Sequence, residues 1–399
     1  MAKHTSRVTE KDKKRESVFR DLDAHRMTAV EAVQSLSVSE RQVWRLLAAF
    51  RREGADAVVH GNRGRMPVQT LSPEVHQRIV ELAQTKYVGF NQTHFTEKLR
   101  TDERIVVSRP TVWRILGESG VRSPQRHRRP KHRSRRERRA LAGMLLQVDG
   151  SDHDWFEGRG PRLTLLGAVD DATGEVVAAL FRNEEDAHGY MLLLRRIVRE
   201  RGIPLAIYAD QHGIFIHTPS EKETVDEQLA GQREPTQVGR ILKDLEIEMI
   251  TALSPQAKGR IERLWGTFQD RLVSELRLAG IATLDAANQF LDTYLAIYNA
   301  QFARPATKAE SAYRSVSAKL NLDVIFAFQY SRIVANDNTA RAGSTVLQIP
   351  ANAERSSYAK AKVLFCVGLD GSTFIVHNGR RIAYMPSKNP KADIRAQKR

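Results

Sequence analysis

Three carboxylates stand where chemistry on a phosphate could be done. Asp149 follows the apolar run LLQV, Asp210 follows AIYA, and Glu262 lies near the start of an amphipathic helical stretch. Metal-assisted phosphoryl transfer needs hard oxygen ligands drawn from several elements. One Mg²⁺ would activate the attacking water or 3′-hydroxyl, and a second would stabilise the leaving oxygen of an in-line displacement. No His or Cys cluster competes for this role, and the chain has a single cysteine, Cys366, which reads as a small buried apolar residue. Each carboxylate alone has an ordinary alternative: a turn-former before Gly150, the start of a loop, or a solvated helix position. The joint context of two strand ends and a helix start favours the chemical reading.

The elements that must position these groups begin after Ala140. GMLLQVDGS, RLTLLGAVDDATG and EVVAALF predict three successive strands, with a hairpin signal at Asp171–Gly174. A helix over Asp186–Arg201, closed by Gly202 and Pro204, leads to a fourth strand, LAIYAD. The helix TQVGRILKDL, a fifth strand IEMITAL and a long helix from about Gln256 to Leu278 complete the segment. Three antiparallel strands followed by alternating helix and strand predict an α/β sheet with helices on its faces, in the order of an RNase H-like domain.

The blocks LLQVDGSDHDWFEGRGPRLTLLGAVDDATG, YADQHGIF and SPQAKGRIERLWGTFQDRLVSELRLAGI closely resemble the ISNCY-type insertion-sequence transposases, which share the D-D-E core of retroviral integrases. The resemblance spans roughly residues 20–310. It implies that Asp149, Asp210 and Glu262 are the metal-binding triad of a DDE transposase, with Mg²⁺ as the ion and Mn²⁺ as a substitute. All three positions match, so the resemblance implies an active enzyme that cleaves element ends and transfers strands into target DNA. His212 reads either as a contact to the scissile phosphate or leaving oxygen, or as a structural hydrogen bond. Lys258, Arg260 and Arg263 flank Glu262 and are expected to touch DNA near the cut. Asp152, Asp154, Asp170 and Asp171 read as surface or turn residues, with metal support as the alternative, while Trp155 and Trp265 read as packing. The polar, aperiodic segment 216–235 reads either as a loop ordered by a DNA end or as an idle insertion.

The charge points to the same kind of partner. Of the net +16, residues 1–139 carry 31 Lys and Arg against 16 Asp and Glu, a surplus of 15, while residues 140–399 carry 32 against 31. A polyanion bound mainly by the first third follows, because neutralising phosphates releases counterions. Segment 122–139, RSPQRHRRPKHRSRRERR, reads as a linker that can lie on a phosphate backbone through Arg128, Arg129, Arg135 and Arg136.

Within this basic third, AVEAVQSL and the stretch Ser39–Phe50 have the apolar spacing of two short helices joined by a tight turn, with Ser39 as N-cap. That is a helix-turn-helix pattern. Ser39-x-x-x-Val43-Trp44-Arg45-Leu46-Leu47 recurs as Ser108-x-x-x-Val112-Trp113-Arg114-Ile115-Leu116, so residues 68–120 read as a second, winged-helix-like unit. Arg41, Arg45, Arg109 and Arg114 are the candidate DNA contacts, and Trp44 and Trp113 read as core residues rather than base-stacking platforms because each lies beside an apolar helix position. Between the units, Arg63 and Arg65 in GNRGRMP suit either a minor-groove arm or a plain linker.

The helix TLDAANQFLDTYLAIYNAQFA should pack on the core, and the later strands STVLQIP, AKVLFCV, TFIVHN and RRIAYMP predict a small β-barrel. The expected organisation is multidomain: all-α helix-turn-helix units at 1–66 and 67–121, a basic linker at 122–140, a central α/β RNase H-like core at 141–304, a linker at 305–340, a small C-terminal β-barrel at 341–388 and a basic tail at 389–399. The charged N-terminus and the lack of a long apolar run predict a cytoplasmic, nucleoid-associated protein. The expected partners are the element's terminal inverted repeats, target DNA and a second copy of the chain on DNA. A non-catalytic DNA-binding regulator and a structure-specific nuclease are the competing readings.

Overall fold

A computed structural model of the chain describes residues 9–58, 71–121, 137–210, 213–217, 235–251, 259–353 and 355–386. Two compact units result, Met1–Arg78 and Ile79–Arg399, with helix α4 (Pro73–Gln84) crossing the boundary. In the first unit, α1 (Glu10–Asp23), α2 (Ala29–Leu36) and α3 (Glu40–Glu53) close over Val18, Phe19, Leu22, Ala32, Val43 and Leu47. Thr28 and Glu31 form a capping box that starts α2, and Ser37, in the left-handed region at φ 52°, turns the chain into α3. Helix α1 is too charged for periodicity to announce, yet its Val18, Phe19 and Leu22 supply half of this small core.

The second unit is built on a five-stranded sheet of order β3-β2-β1-β4-β5. Strands β1 (Leu146–His153), β2 (Leu163–Asp170) and β3 (Val176–Arg182) run antiparallel, while β4 (Ala206–Ala209) and β5 (Glu248–Thr251) continue parallel to β1. Helices α7 (Ala187–Glu200) and α8 (Gln237–Asp244) cover one face; α9 (Gly259–Leu278) and α10 (Leu284–Phe302) cover the other. Strand β2 is buried along its whole length, which is why it reads as an unbroken apolar run rather than an alternating one. Its Leu166 and Ala168 join the α7 side, while Leu163 and Leu165 join the α9 side. At the sheet edge, Asn288 and Asn299 of α10 each exchange hydrogen bonds with the backbone of β3, at Phe181 and Val176, and so satisfy groups that an edge strand leaves open.

Helices α5 (Gln92–Thr101) and α6 (Arg109–Glu118) lie in this same unit, and α5 docks on α9. Arg271 donates to Glu97 at 2.6 and 3.1 Å, and Glu275 takes bonds from buried His94 and from Lys98. Burial pushes the Glu275 carboxyl up, but the bonds from His94 and Lys98 outweigh it and hold the group below its ordinary value. Helix α5 is thereby tied to the helix that carries Glu262.

The remaining strands form two sheets, β11-β10-β9-β6 and β12-β8-β7. They run over β6 (Phe328–Ile333), β7 (Thr339–Ala342), β8 (Thr345–Gln348), β9 (Lys362–Val367), β10 (Thr373–His377), β11 (Arg380–Ile382) and β12 (Met385–Pro386), preceded by a single turn of helix, α11 (Leu322–Ile325). They share a core that includes Val334, Leu347, Val363, Phe365 and Ile375. Among the described residues no hydrogen-bonded ladder joins the two sheets, so the described strands form two sheets rather than one continuous ladder. The stretch 305–340, expected as a linker, also contains α11, β6 and the start of β7. Its strand FQYSRI alternates polar and apolar residues too weakly to be read without its partner β9. The basic tail 389–399 lies outside the described residues.

Candidate active site

Strands β1 and β4 pair Leu146 with Ile207 and Gln147 with Tyr208. Two residues farther along each chain come Asp149 and Asp210, so the two carboxylates stand level on neighbouring strands. Both are half-buried. Asp149 is not at the end of its strand, as the apolar run suggests, because β1 continues to His153 through its ladder with β2 while its pairing with β4 stops earlier.

Glu262 sits in the first turn of α9 and is exposed. Three and seven residues later on the same helical face come Trp265 and Gln269, and both reach β1. The Trp265 indole donates to Asp149 Oδ2 at 3.0 Å, and Gln269 Nε2 donates to Ser151 Oγ at 3.1 Å. The helix face bearing Glu262 thus lies along the strand bearing Asp149. Trp265 does pack, as expected, but it also orients a carboxylate. Among the described residues no group of three or more His, Cys, Asp or Glu could hold a metal ion, so Asp149 and Asp210 stand level at this edge of the sheet without closing on a centre with Glu262.

A buried polar scaffold holds the start of α9. Asp171 is completely buried; its Oδ1 accepts from Arg260 Nε at 2.7 Å and from Gln147 Nε2 at 3.0 Å, and its Oδ2 accepts from the Arg139 backbone at 3.0 Å. Gln147 Oε1 in turn accepts from the Ile261 backbone N–H at 3.2 Å, a first-turn donor with no partner inside the helix. Asp170 caps the β2–β3 turn, accepting from Ala172 and Thr173, and binds the Gly143 backbone. The turn reading of Asp170 is therefore met, but neither Asp170 nor Asp171 is a surface residue. Arg260, expected on DNA, is instead held by Asp171 beneath the helix, because its position faces the sheet. Arg263 is exposed, with its Nε on the Gly259 carbonyl. Asp152 pairs with Arg162 at the surface, and Asp154 accepts from Gly158 in a turn. Trp155 is fully buried. His212 and Lys258 lie outside the described residues, as does most of segment 216–235.

One carboxylate near this edge escaped the sequence reading. Glu185, just before the N-cap Asp186 of α7, accepts from the buried Tyr190 hydroxyl at 2.6 Å. A methyl group placed on Gly150 would stand 2.7 Å from Glu185 Oε2. Burial, followed by the charges of Glu185, Asp149 and Asp210, pushes the Tyr190 phenol well above its ordinary value, so it remains a donor. A third carboxylate after a strand was the available signal, hidden within the run Glu184-Glu185-Asp186 that suits a helix start.

Gly167 lies opposite Asp149 in the β1–β2 register, and a methyl group there would stand 2.7 Å from the Trp265 ring. Gly167→Ala should push the ring off Asp149 and destabilise the unit by about 1–3 kcal/mol, the usual cost of overpacking. Chemical denaturation followed by near-ultraviolet circular dichroism reads both effects; an unshifted midpoint with an unchanged aromatic signal would show that the contact yields freely.

In the first unit Arg41 and Arg45 are exposed on α3, and in the second Arg109 and Arg114 are exposed on α6. Trp44 and Trp113 are not core residues: they are 50% and 65% exposed, whereas the adjacent Val43 and Val112 are fully buried. One residue along a helix turns the side chain by roughly 100°, enough to leave the apolar stripe. Arg63, Arg65, Arg128, Arg129, Arg135 and Arg136 lie outside the described residues.

No family model matches the chain. It is 34% identical over 351 residues to y4bF of Sinorhizobium fredii, a protein named as a transposase, covering 84% of this chain and 75% of that one. It is 31% identical over 398 residues to the transposase for insertion sequence IS1202 of Streptococcus pneumoniae, covering 90% and 82%. Among solved structures, the catalytic core domain of BIV integrase aligns with a TM-score of 0.29 at 21% identity, over 40% of this chain and 85% of that one. That likeness is too distant to carry weight, and the fold reading rests on the sheet order and layers given above.

Proposed function

Because the chain belongs to the transposase family, whose DDE members are polynucleotidyl transferases, we propose that Asp149, Asp210 and Glu262 form the centre that cuts the element's ends and joins them to target DNA. The observation that supports this most is the β1–β4 register, which sets Asp149 and Asp210 level on adjacent parallel strands beside a helix bearing Glu262. The donors are carboxylate oxygens, which suit a hard divalent cation. Asp149, Asp210 and Glu262 would hold Mg²⁺, as two ions, with Mn²⁺ able to substitute. When bound, the ions supply charge neutralisation and a more acidic oxygen nucleophile for in-line displacement at phosphorus.

The protein's own part is positioning. Trp265 sets the orientation of the Asp149 carboxylate, while Gln147 and Asp171 fix the start of α9 and so the level at which Glu262 meets the strand. Arg263, exposed one residue after Glu262, would meet the DNA backbone beside the cut, with His212 and Lys258 as further contacts. Helices α3 and α6 would read the terminal inverted repeats through Arg41, Arg45, Arg109 and Arg114. Arg63, Arg65, Arg128, Arg129, Arg135 and Arg136 would add phosphate contacts that carry no sequence information. Two ends must be processed together, so at least two copies act on one DNA complex. Among the described residues no helix is long and apolar enough to cross a membrane. The proposed place of action is the cytoplasm, at the nucleoid.

The test is incubation of the chain with Mg²⁺ and a supercoiled plasmid carrying the element's ends. End-specific nicks followed by strand joining are expected. Indiscriminate nicking would mark a structure-specific nuclease, and binding without cutting would mark a regulator; either outcome overturns the proposal.

A further inference from the structure

Trp44 and Trp113 occupy the same position in two helices that belong to different compact units. Each is the fifth residue after a serine N-cap, Ser39 or Ser108, and each directly follows a valine with no exposed surface. Each is followed by an exposed arginine, Arg45 or Arg114. Four residues farther on, one turn along the helix, stand the small residues Ala48 in the first helix and Gly117 in the second, both exposed. At 50% and 65% exposure these are the two large aromatics most open to water in the described chain, whereas Trp155 and Trp265 are 0% and 7% exposed. A single exposed aromatic needs no explanation. The same one in the same register of two helices, neither serving its own core, calls for a partner.

The surroundings indicate which partner. Trp113 lies between Arg109 and Arg114, and Trp44 between Arg41 and Arg45. Only Glu40 brings a negative charge to the turn before either indole, and Trp44 Nε1 donates to its Oε1 at 3.3 Å. An exposed aromatic with exposed arginines at nearby positions of the same helix, and a small residue one turn on, matches a nucleic-acid groove: the arginines meet phosphate or guanine, and the indole packs on a thymine methyl or a sugar.

We propose that Trp44 and Trp113 are DNA-contacting residues, one in each of two subsites of an element end. This rests on the reading above that α3 and α6 lie on DNA. Because both indoles are exposed, their replacement should leave the fold intact, which circular dichroism and the melting temperature of each variant check.

The experiment uses the full chain and a duplex bearing the element's end. In the free protein, iodide should quench Trp44 and Trp113 and spare Trp155 and Trp265. Adding the duplex should remove that quenching. Trp44→Phe and Trp113→Phe should each lose part of the DNA-induced change, and the double variant nearly all of it. Trp44→Ala and Trp113→Ala should each weaken end binding by about tenfold, the size of one lost base-edge contact. Unchanged iodide access on a bound duplex, with undiminished affinity in the double alanine variant, would overturn the inference while leaving the transposase reading in place. Failure of the unaltered chain to bind the duplex at all would strike that reading instead. Loss of iodide access on raising protein concentration without DNA would show that the indoles meet a second copy of the chain, and would likewise overturn the inference.

Discussion

Asp149→Asn, Asp210→Asn and Glu262→Gln should each lower strand cleavage and joining by about a thousandfold or more, while folding and end binding persist. Each replacement keeps the size of the side chain and removes one negative charge. A neutral amide is a poor ligand for a hard dication, and losing several kcal/mol of transition-state stabilisation corresponds to about three orders of magnitude in rate. Binding should survive because the proposed DNA-reading helices lie elsewhere in the chain, and removing a carboxylate near phosphate relieves repulsion. Asp149 carries one additional expectation: its Oδ2 accepts from the Trp265 indole, so Asp149→Asn should leave Trp265 packed and the melting temperature close to that of the parent. Asp154→Asn is the control, since that carboxylate serves a turn through Gly158. Single-turnover cleavage of a pre-bound end, in Mg²⁺ and again in Mn²⁺, measures the effect. Near-normal cutting by any of the three variants removes that residue from the site.

Asp171→Ala should be the most destabilising single change near the site, at about 3–5 kcal/mol, because it strands one member of a buried ion pair. The Arg260 guanidinium would keep its place beneath α9 with no anion, and the Gln147 amide and the Arg139 backbone N–H would each lose their acceptor. Removing a shared acceptor costs more than removing one bond, since every buried donor left behind keeps its desolvation cost. Asp171→Asn should cost less, as it retains an oxygen but not the charge. Both should also slow end cleavage, because the Gln147 bond to Ile261 sets the start of the helix bearing Glu262. Denaturant unfolding followed by tryptophan emission gives the stability loss. A shift in Asp171→Ala below about 1 kcal/mol, the level of an exposed pair, would mean that the scaffold is not what holds α9.

How much of this was legible in the sequence follows from the range over which the forces act. The five core strands and the helices around them were readable because burial of a sheet or a helix face writes a local period into the chain, as in TLLGAV or the apolar stripe of Val43 and Leu47. Asp149 and Asp210 stood out because a charged residue directly after LLQV or AIYA breaks that period, although only the ladder with β2 shows that β1 runs on past Asp149. The repeat of Ser-x-x-x-Val-Trp-Arg was likewise plain in one dimension.

Tertiary structure alone decided which polar residues are buried and what they touch. Asp171, Gln147 and Arg260 look like a turn residue, an ordinary strand polar and a surface arginine, and only the packing of α9 on the sheet joins them. Glu185 belongs to the carboxylate edge because Gly150 leaves room for it and Tyr190 holds it, neither of which a neighbour in sequence reveals. Trp44 and Trp113 turned outward because a helical period places a residue within about 100° and no better, so the boundary between core and surface is set by the partner helices. Strand β6 became a strand only when β9 supplied its hydrogen bonds. Periodicity is a property of one segment. Hydrogen-bond partners and exposure belong to pairs of segments, and these come together only when the chain folds.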